Sequence, residues 1–448
     1  MMGQLQSEQN SFFYDFCLEK HIPKNHLLRR IDQLLDFNDI RKYLKPFYSH
    51  TGRPSIDPEL MIRMLLVGYC YGIRSERRLC EEVNFNLAYR WFCQLGLEDE
   101  VPNHSTFSKN RHGRYRQSDL FRFVFNQVVR NCFENGLIKG EGFAVDASWI
   151  TADASRMKNI AGEEILDALD RETATRAVKE YFNALDNEEL PQKIFKKISP
   201  TDPISSYMRS RRGNLGYYYS TNYLIDIENN IIVDVEATPA HRSCEVNGTK
   251  AMINRVEEKY GITPKRLMGD TAYGTAEMLN WTVEKGIAPH SPVWEKSERN
   301  DGTYSVSEFI FDLQANEYIC PNNKRLHTTN RPTKDNTLLY RSRSPECVDC
   351  PDKEKCCPNT NVRKIARSIY EEARDTARAI HQTPEYQQSK KDRKKVEMLF
   401  GHLKQILRFD QLRLRGLTGA SDEFLLAATS QNLRRIVKIF GQPPPLTG

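Results

Sequence analysis

An aspartate in the middle of a short apolar run constrains the fold of this chain more than any other feature. The run is Gly142-Phe143-Ala144-Val145-Asp146-Ala147-Ser148-Trp149-Ile150. Its composition predicts a β-strand, where Asp is disfavoured, and a carboxylate among apolar neighbours is costly unless a cation or a donor meets it. The alternative is an Asp that caps a turn, because Ser148 and Thr151 follow closely. Other carboxylates in the chain bear on this choice.

The region around this run alternates strands with helices. We expect a first strand at 143–152, a hairpin at 217–238, a helix at 245–260, a fourth strand at 266–270 and a fifth near 287–290. This order predicts an α/β fold with mixed strand pairing. Asp146 lies within the first strand and Asp270 ends the fourth. If these strands are neighbours, the two carboxylates meet at one sheet edge and need bound cations to stay ionised.

A third carboxylate lies on a late helix, which we expect from about Tyr386 to Leu407. At about 100° per residue, Glu397 falls in one arc of about 60° with Arg393, Lys404 and Lys390. Taken alone, this stripe is typical of a solvated face with an Arg393–Glu397 pair. Together with the two aspartates on strands, Glu397 completes a set of three carboxylates that can hold two divalent ions for phosphodiester cleavage. The Lys and Arg side chains beside them would bind phosphates.

Charge and composition narrow the choice of partner. Residues 386–415 hold nine Lys and Arg against three Asp and Glu, an excess that equals the net charge of +6 of all 448 residues. A polyanionic partner is therefore expected at this segment. The sequence has no apolar run as long as a membrane span and no export signal pattern, so we expect a cytoplasmic, nucleoid-associated protein without a membrane partner.

The N-terminal region, residues 1–135, is predicted to be an all-helical domain. A Ser/Thr-rich helix start at 102–108 leads to Lys109 and Arg111, which is compatible with a helix-turn-helix that binds duplex DNA. A helical domain with a solvated basic face is an equally good interpretation, because the helix-turn-helix has no rigid spacing.

Three stretches resemble the DDE transposases of bacterial insertion sequences. Residues 144–148 resemble the strand of the first Asp, residues 269–274 the turn of the second Asp, and residues 396–404 the Glu helix. That helix often carries Tyr, then Arg three residues on, Glu four further and Lys seven further. Arg393, Glu397 and Lys404 fit this pattern, whereas Lys390 stands at the Tyr position. The region 52–116 also resembles the end-binding domain of these enzymes, and residues 431–433 resemble their closing helix.

The resemblance implies an RNase H-like mixed sheet with flanking helices, in which Asp146, Asp270 and Glu397 are catalytic and hold two Mg²⁺ or Mn²⁺ ions. It implies that double-stranded DNA, as inverted element ends and as target, is the partner, and that the protein cleaves it and transfers the strand as a homodimer. The expected DNA contacts are Arg393, Lys404, Lys390, Lys109 and Arg111. The alternatives are an RNase H-like nuclease that stops after cleavage and a catalytically silent, transposase-derived DNA-binding protein.

Cysteines set apart a further segment of the chain. Cys347, Cys350 and Cys356, with Cys320 upstream, have a spacing compatible with structural zinc, and a loop with free, reduced cysteines is the alternative. We therefore expect four segments: a DNA-end-binding domain at 1–135, a first catalytic part at 136–294 with a helical insertion at about 161–200, a Cys-rich insertion at 295–361, and a C-terminal catalytic part at 362–448 with the Glu helix.

Overall fold

The computed structural model describes residues 16–48, 55–115, 118–162, 164–165, 169–187, 197–210, 213–295 and 301–441. Its helices are α1 (Leu18–His21), α2 (Leu27–Asp32), α3 (Asn38–Leu44), α4 (Pro58–Cys70), α5 (Glu76–Phe85), α6 (Leu87–Phe92), α7 (His104–Asn110), α8 (Leu120–Glu134), α9 (Arg176–Asp186), α10 (Arg242–Tyr260), α11 (Ala276–Glu284), α12 (Ser344–Val348), α13 (Lys353–Cys356), α14 (Glu371–His381), α15 (Pro384–Gln405) and α16 (Leu417–Phe440). Its strands are β1 (Phe143–Thr151), β2 (Ile160–Ala161), β3 (Lys197–Ile198), β4 (Ser206–Arg209), β5 (Leu215–Asp226), β6 (Ile231–Pro239), β7 (Arg266–Met268), β8 (Ala288–His290), β9 (Ile310–Asp312), β10 (Glu317–Ile319), β11 (Arg325–Thr328), β12 (Thr337–Arg341) and β13 (Lys364–Ser368).

The central sheet has the mixed pairing that the sequence predicts, but it has six strands where five were expected, and β4 is the additional one. Its order is β4-β5-β1-β7-β8, and β6 also pairs with β5. Strand β1 is antiparallel to β5 and parallel to β7, which is parallel to β8. The β5–β6 hairpin turns at Asn230, whose φ of 54° is a left-handed conformation that Asn tolerates. The first and fourth predicted strands, β1 and β7, are therefore neighbours.

One hydrophobic core joins the N-terminal helices to this sheet. It includes Leu66 of α4, Val128 of α8, Tyr223 of β5 and Leu433 of α16. Helix α16 packs against α2, α4, α8 and β6, and it is buried on nearly all sides from Gly419 to Val437. The described elements before residue 135 are helical, as expected, but they share their core with the sheet instead of forming a separate one.

Buried polar groups fix the position of α16. Asn432 accepts from Ile232 N and donates to Ile232 O, both at 2.8 Å, so its amide acts as a further peptide group beside β6. Glu423, which is fully buried, accepts from Tyr69 OH at 3.3 Å, from Arg74, and from two backbone amides. Such pairs satisfy groups that would otherwise be costly to bury.

The Cys-rich segment differs from the expected polar loop. It contains a five-stranded sheet in the order β13-β12-β11-β10-β9, and all its pairings are antiparallel. Regular structure after residue 362 begins with a strand, β13, and helix α14 follows from Glu371. This sheet has its own small core around Tyr318, Leu326 and Tyr340.

The predicted helical insertion at about 161–200 is helical in one part. Strands β2 and β3 pair with each other, and helix α9 lies between them in the chain. Residues 163, 166–168 and 188–196 of this insertion lie outside the described residues. Among the helices that the structure describes, none is long and apolar enough to cross a membrane.

Candidate active site

Strand pairing brings Asp146 and Asp270 to the same level of the sheet. In the parallel pair β1–β7, Phe143 lies opposite Leu267 and Ala144 lies opposite Met268. Asp146 and Asp270 each follow the last of these pairs by two residues. Because parallel strands are about 4.8 Å apart, the two aspartates occupy adjacent positions where β7 ends.

The turn that carries Asp270 depends on close backbone packing. Asp270 caps a short 3₁₀ turn by accepting from Ala272 N at 2.7 Å. Gly274 ends this turn, and its carbonyl oxygen accepts from Trp294 N at 2.9 Å. A Cβ atom at Gly274 would overlap the carbonyl oxygen of Pro292. The glycine therefore allows the chain after β8 to pass beside the aspartate.

Helix α15 lies over β1 at the level of Asp146. Tyr223 of β5 is the cross-strand neighbour of Asp146, and its ring stacks on Phe400 of α15 with ring centroids 5.0 Å apart. The ammonium of Lys404 donates to Trp149 O of β1 at 2.9 Å. These contacts hold the turn that carries Glu397 near Asp146. Lys404 thus fixes the helix to the strand, a role that helical spacing alone does not reveal.

The charges of the three carboxylates interact. The pKa of Asp146 is raised to about 6. Burial is the main cause, and the negative charges of Asp270 and Glu397 contribute to the rise. The Ala147 amide, which donates to Asp146 at 2.8 Å, and the Arg393 guanidinium lower it. Asp146 is therefore a partly buried carboxylate beside two like charges, and a cation would favour its ionised form.

The donor set fits a hard divalent cation, although the side chains are not gathered around one point. Within the described residues, no three His, Cys, Asp or Glu side chains are arranged to hold a metal ion. Asp146 and Asp270 each accept from a backbone amide, and Glu397, with a 59% exposed side chain, lies 3.7 Å from Arg393. Carboxylate oxygens from the interior of β1, the end of the neighbouring β7 and a facing helix are nevertheless the ligand type that Mg²⁺ prefers.

A fourth carboxylate near the site was not singled out from the sequence. Glu245, in the first turn of α10, accepts from Trp149 Nε1 at 3.2 Å and from the Ser220 hydroxyl at 2.8 Å. Burial raises the pKa of the Tyr273 hydroxyl, and the nearby charges of Glu245, Asp146 and Asp270 raise it as well. In the sequence, Glu245 is an ordinary acidic residue at a helix start, so no pattern marks it.

The residues expected to bind DNA differ in exposure. Lys390 and Lys109 are exposed, and the Lys390 ammonium lies 5.9 Å from the centroid of the Tyr386 ring. Arg393 is partly buried beside Glu397. These positions leave Lys390 and Lys109 accessible to a phosphate.

Arg111 has a different position from the one expected. It is 4% exposed, and its guanidinium donates to Glu76 at 2.9 Å and to Tyr69 OH at 3.1 Å. Since Tyr69 also bonds to Glu423, Arg111 belongs to the buried charge network that joins the N-terminal helices to α16. This placement corrects the sequence-based expectation, because the side chain is buried and paired where a DNA contact would need it exposed.

Two further carboxylates in the neighbourhood of these elements, Asp153 and Glu371, have other partners. Asp153 lies beyond β1 and pairs with Arg415 at 2.9 Å. Glu371 is buried and pairs with Arg374 and Arg378 on its own helix. The charges of Asp270 and Glu397 are among the causes that raise the pKa of Asp146, whereas those of Asp153 and Glu371 are not.

Two transposase family models match the chain. Residues 16–113 match the Transposase domain (DUF772), and residues 319–437 match the Transposase DDE domain. The second match contains Glu397 and starts within β10. The six-stranded mixed sheet, at 143–290, lies between the two matched ranges. The second match defines a DDE transposase, a class whose domain is RNase H-like in general. Both matches are to transposase domains, and the chain is a DNA transposase with a DDE domain.

Other comparisons add little. A solved structure described as a piggyBac transposase synaptic complex with hairpin DNA aligns with 93% of this chain and 82% of its own chain. Its identity is 9% and its TM-score is 0.33, values too low to support an argument about this chain. No curated protein matches the sequence.

Proposed function

We propose that Asp146, Asp270 and Glu397 are the catalytic residues of this transposase and hold two Mg²⁺ or Mn²⁺ ions. The observation that carries the proposal is the parallel register of β1 and β7, which sets the two aspartates side by side beneath the helix of Glu397. DDE transposase domains generally use divalent metal ions. When bound, such ions activate a water molecule and stabilise the charge on the leaving oxygen.

The chain's own residues would orient the reacting groups. Lys404, bonded to Trp149 O, keeps α15 on β1, and Arg393 next to Glu397 supplies a guanidinium for a phosphate of the bound strand. Water cleaves the phosphodiester at each element end and leaves a 3′-hydroxyl and a 5′-phosphate. The 3′-hydroxyl oxygen then bonds to a target phosphorus, while a target 3′-oxygen leaves and takes up the proton.

The DNA would contact both the helical region and α15. The exposed Lys109 at α7 and Lys390 on α15 are also accessible to phosphates. We assign residues 1–135 to binding of the inverted element ends. The 362–448 segment, with the Glu helix, completes the catalytic part begun at 136–294. Cutting two ends together favours a homodimer on DNA.

The direct test uses duplexes that carry the DNA bordering the gene on each side, with scrambled duplexes as the control. With Mg²⁺ present we expect nicks at the element ends and joining of the new 3′-ends to a second duplex, and a chelator should stop both reactions. Nicking without joining would indicate a nuclease. Specific binding without nicking would indicate a silent DNA-binding protein. Either outcome would contradict the proposed reaction.

A second prediction concerns DNA affinity. Lys390→Ala should lower the slope of log K against log salt by about one, because one phosphate contact is lost, and it should weaken binding to all sequences alike. Lys139→Ala is the matched control, since Lys139 is an exposed lysine just before β1, paired with Glu228 at 3.8 Å. A salt titration of end binding measures both slopes. Equal slopes for Lys390→Ala and the unchanged protein would show that Lys390 of α15 does not contact the DNA.

A further inference from the structure

We propose that the sheet of β9–β13 binds one structural zinc ion through the thiolates of Cys320, Cys347, Cys350 and Cys356. This site is separate from the three carboxylates, and it would stabilise the sheet instead of taking part in strand cleavage. The proposal does not depend on the assignment of the catalytic residues.

The fold brings distant cysteines to a single cavity. Cys320 follows β10, Cys347 and Cys350 lie at α12 and just after it, and Cys356 and Cys357 end α13. All five line the same small cavity, although 37 positions of the chain separate the first from the last. None of them forms a disulfide. The remaining six cysteines lie elsewhere in the chain, so the convergence is specific to this sheet.

Hydrogen-bond donors already point at these sulfur atoms. Lys324 N donates to Cys320 Sγ at 3.2 Å, and Asn322 Nδ2 donates to Cys350 Sγ at 3.3 Å. Ser342 Oγ lies 2.9 Å from Cys347 Sγ. A neutral thiol is a weak acceptor, whereas a thiolate gains from such bonds, and donors around the ligands are usual at metal sites. Polar groups therefore lie within hydrogen-bond distance of three of the four proposed ligand sulfurs.

The size of the local core gives an independent reason for a metal. The separate core of this sheet contains eight buried residues, and three of them are Cys347, Cys356 and Cys357. Sheets with so little apolar burial commonly need a disulfide or a metal for stability. Since these cysteines form no disulfide, a bound metal ion is the means of stabilisation that their side chains allow.

The sulfurs must move a little to meet an ion. As noted for the described residues as a whole, no three of them are arranged to hold a metal. Tetrahedral zinc requires sulfur at about 2.3 Å, so binding would require the Cys side chains that line the cavity to change χ1 between staggered rotamers. Cys356 and Cys357 compete for the fourth position. The Lys353 ammonium lies 3.6 Å from Cys357 Sγ and gives that sulfur another partner, so we assign Cys356.

The test is metal analysis of the full chain, purified with reductant and without chelator. We expect about one zinc ion per chain, the stoichiometry of a four-thiolate site. Asp146→Asn should keep that zinc, which separates this site from the carboxylates. Absence of zinc, or its replacement by iron and sulfide, would overturn the proposal.

Variants identify the ligands. Cys350→Ser should lower zinc content to near zero, and Cys244→Ser, a half-buried cysteine on α10, should leave it unchanged. If Cys350→Ser does not fold, cobalt added to the apo form of the unchanged protein gives a second readout, since four thiolates produce an intense tetrahedral cobalt spectrum with sulfur-to-cobalt bands. A weak spectrum typical of oxygen ligands would contradict the assignment, as would full zinc retention in Cys350→Ser.

Discussion

Replacing Asp146 or Asp270 with Asn will lower Mg²⁺-dependent nicking by about three orders of magnitude, while specific DNA binding stays intact. Loss of a metal ligand removes several kcal/mol of transition-state stabilisation, and each tenfold in rate corresponds to about 1.36 kcal/mol. The measurement is single-turnover nicking of an end duplex beside an equilibrium binding assay. Asp153→Asn is the matched control, because Asp153 lies just past the same strand but pairs with Arg415.

The stability of Asp146→Asn distinguishes a lost ligand from a damaged fold. Burial raises the pKa of Asp146 to about 6, above its value in the unfolded chain. The folded state therefore binds more protons between the two pKa values, so ionised Asp146 destabilises the metal-free protein as pH rises through about 4 to 6. At neutral pH this penalty is on the order of 3 kcal/mol.

Melting curves without metal should accordingly show Asp146→Asn to be at least as stable as the unchanged protein at pH 7, with a smaller difference at pH 4. Added Mg²⁺ should raise the melting temperature of the unchanged protein more than that of the variant. A variant that melts much lower, or one that nicks at the normal rate, would reject the role given to Asp146.

The parts of the site that sequence could predict are those with a local signal. An Asp inside an apolar strand is unusual by itself, so β1 and Asp146 stand out without any knowledge of the fold. The β5–β6 hairpin likewise has Asn230 at a turn that requires positive φ. Alternation of strands and helices then predicts the mixed sheet, whereas the parallel pairing of β1 with β7 is known only from the structure.

Side-chain partners far apart in sequence could not be predicted in this way. Arg111 and Lys109 look alike as cations near a helix end, yet one is buried against Glu76 and the other is exposed. The burial of Arg111 depends on Glu423, which is over 300 residues away and reaches Tyr69 through the packing of α16. No local pattern carries that information.

The five-stranded sheet has a weak signal in the sequence. Its strands are three to five residues long, too short for hydrophobic alternation to be clear. Its turns contain asparagines with positive φ at Asn316, Asn323, Asn330 and Asn336. Regularly spaced Asn between short β-favouring runs is the usual mark of hairpins, so this composition indicates a meander better than a loop.

Glu397→Gln will reduce cleavage by orders of magnitude without weakening DNA binding. The substitution keeps size and helix propensity but removes a charge that acts on Asp146 and a ligand from the proposed metal set. Glu397 lies 3.7 Å from Arg393, so its neutralisation frees that guanidinium for a phosphate, and end binding should be unchanged or slightly tighter. The same nicking and binding assays measure both effects.

Glu385→Gln supplies the control on the same helix, since Glu385 is exposed in the first turn of α15, three turns before Glu397. It should leave cleavage unchanged, because it neither contacts Asp146 nor faces β1. The pH dependence of the two variants adds a further check. Removing Glu397 takes away one like charge that raises the pKa of Asp146, so that pKa should fall in Glu397→Gln and stay the same in Glu385→Gln. Normal cleavage by Glu397→Gln, or equal pKa values of Asp146 in the two variants, would show that the stripe on α15 is a solvated face and that the third carboxylate lies elsewhere.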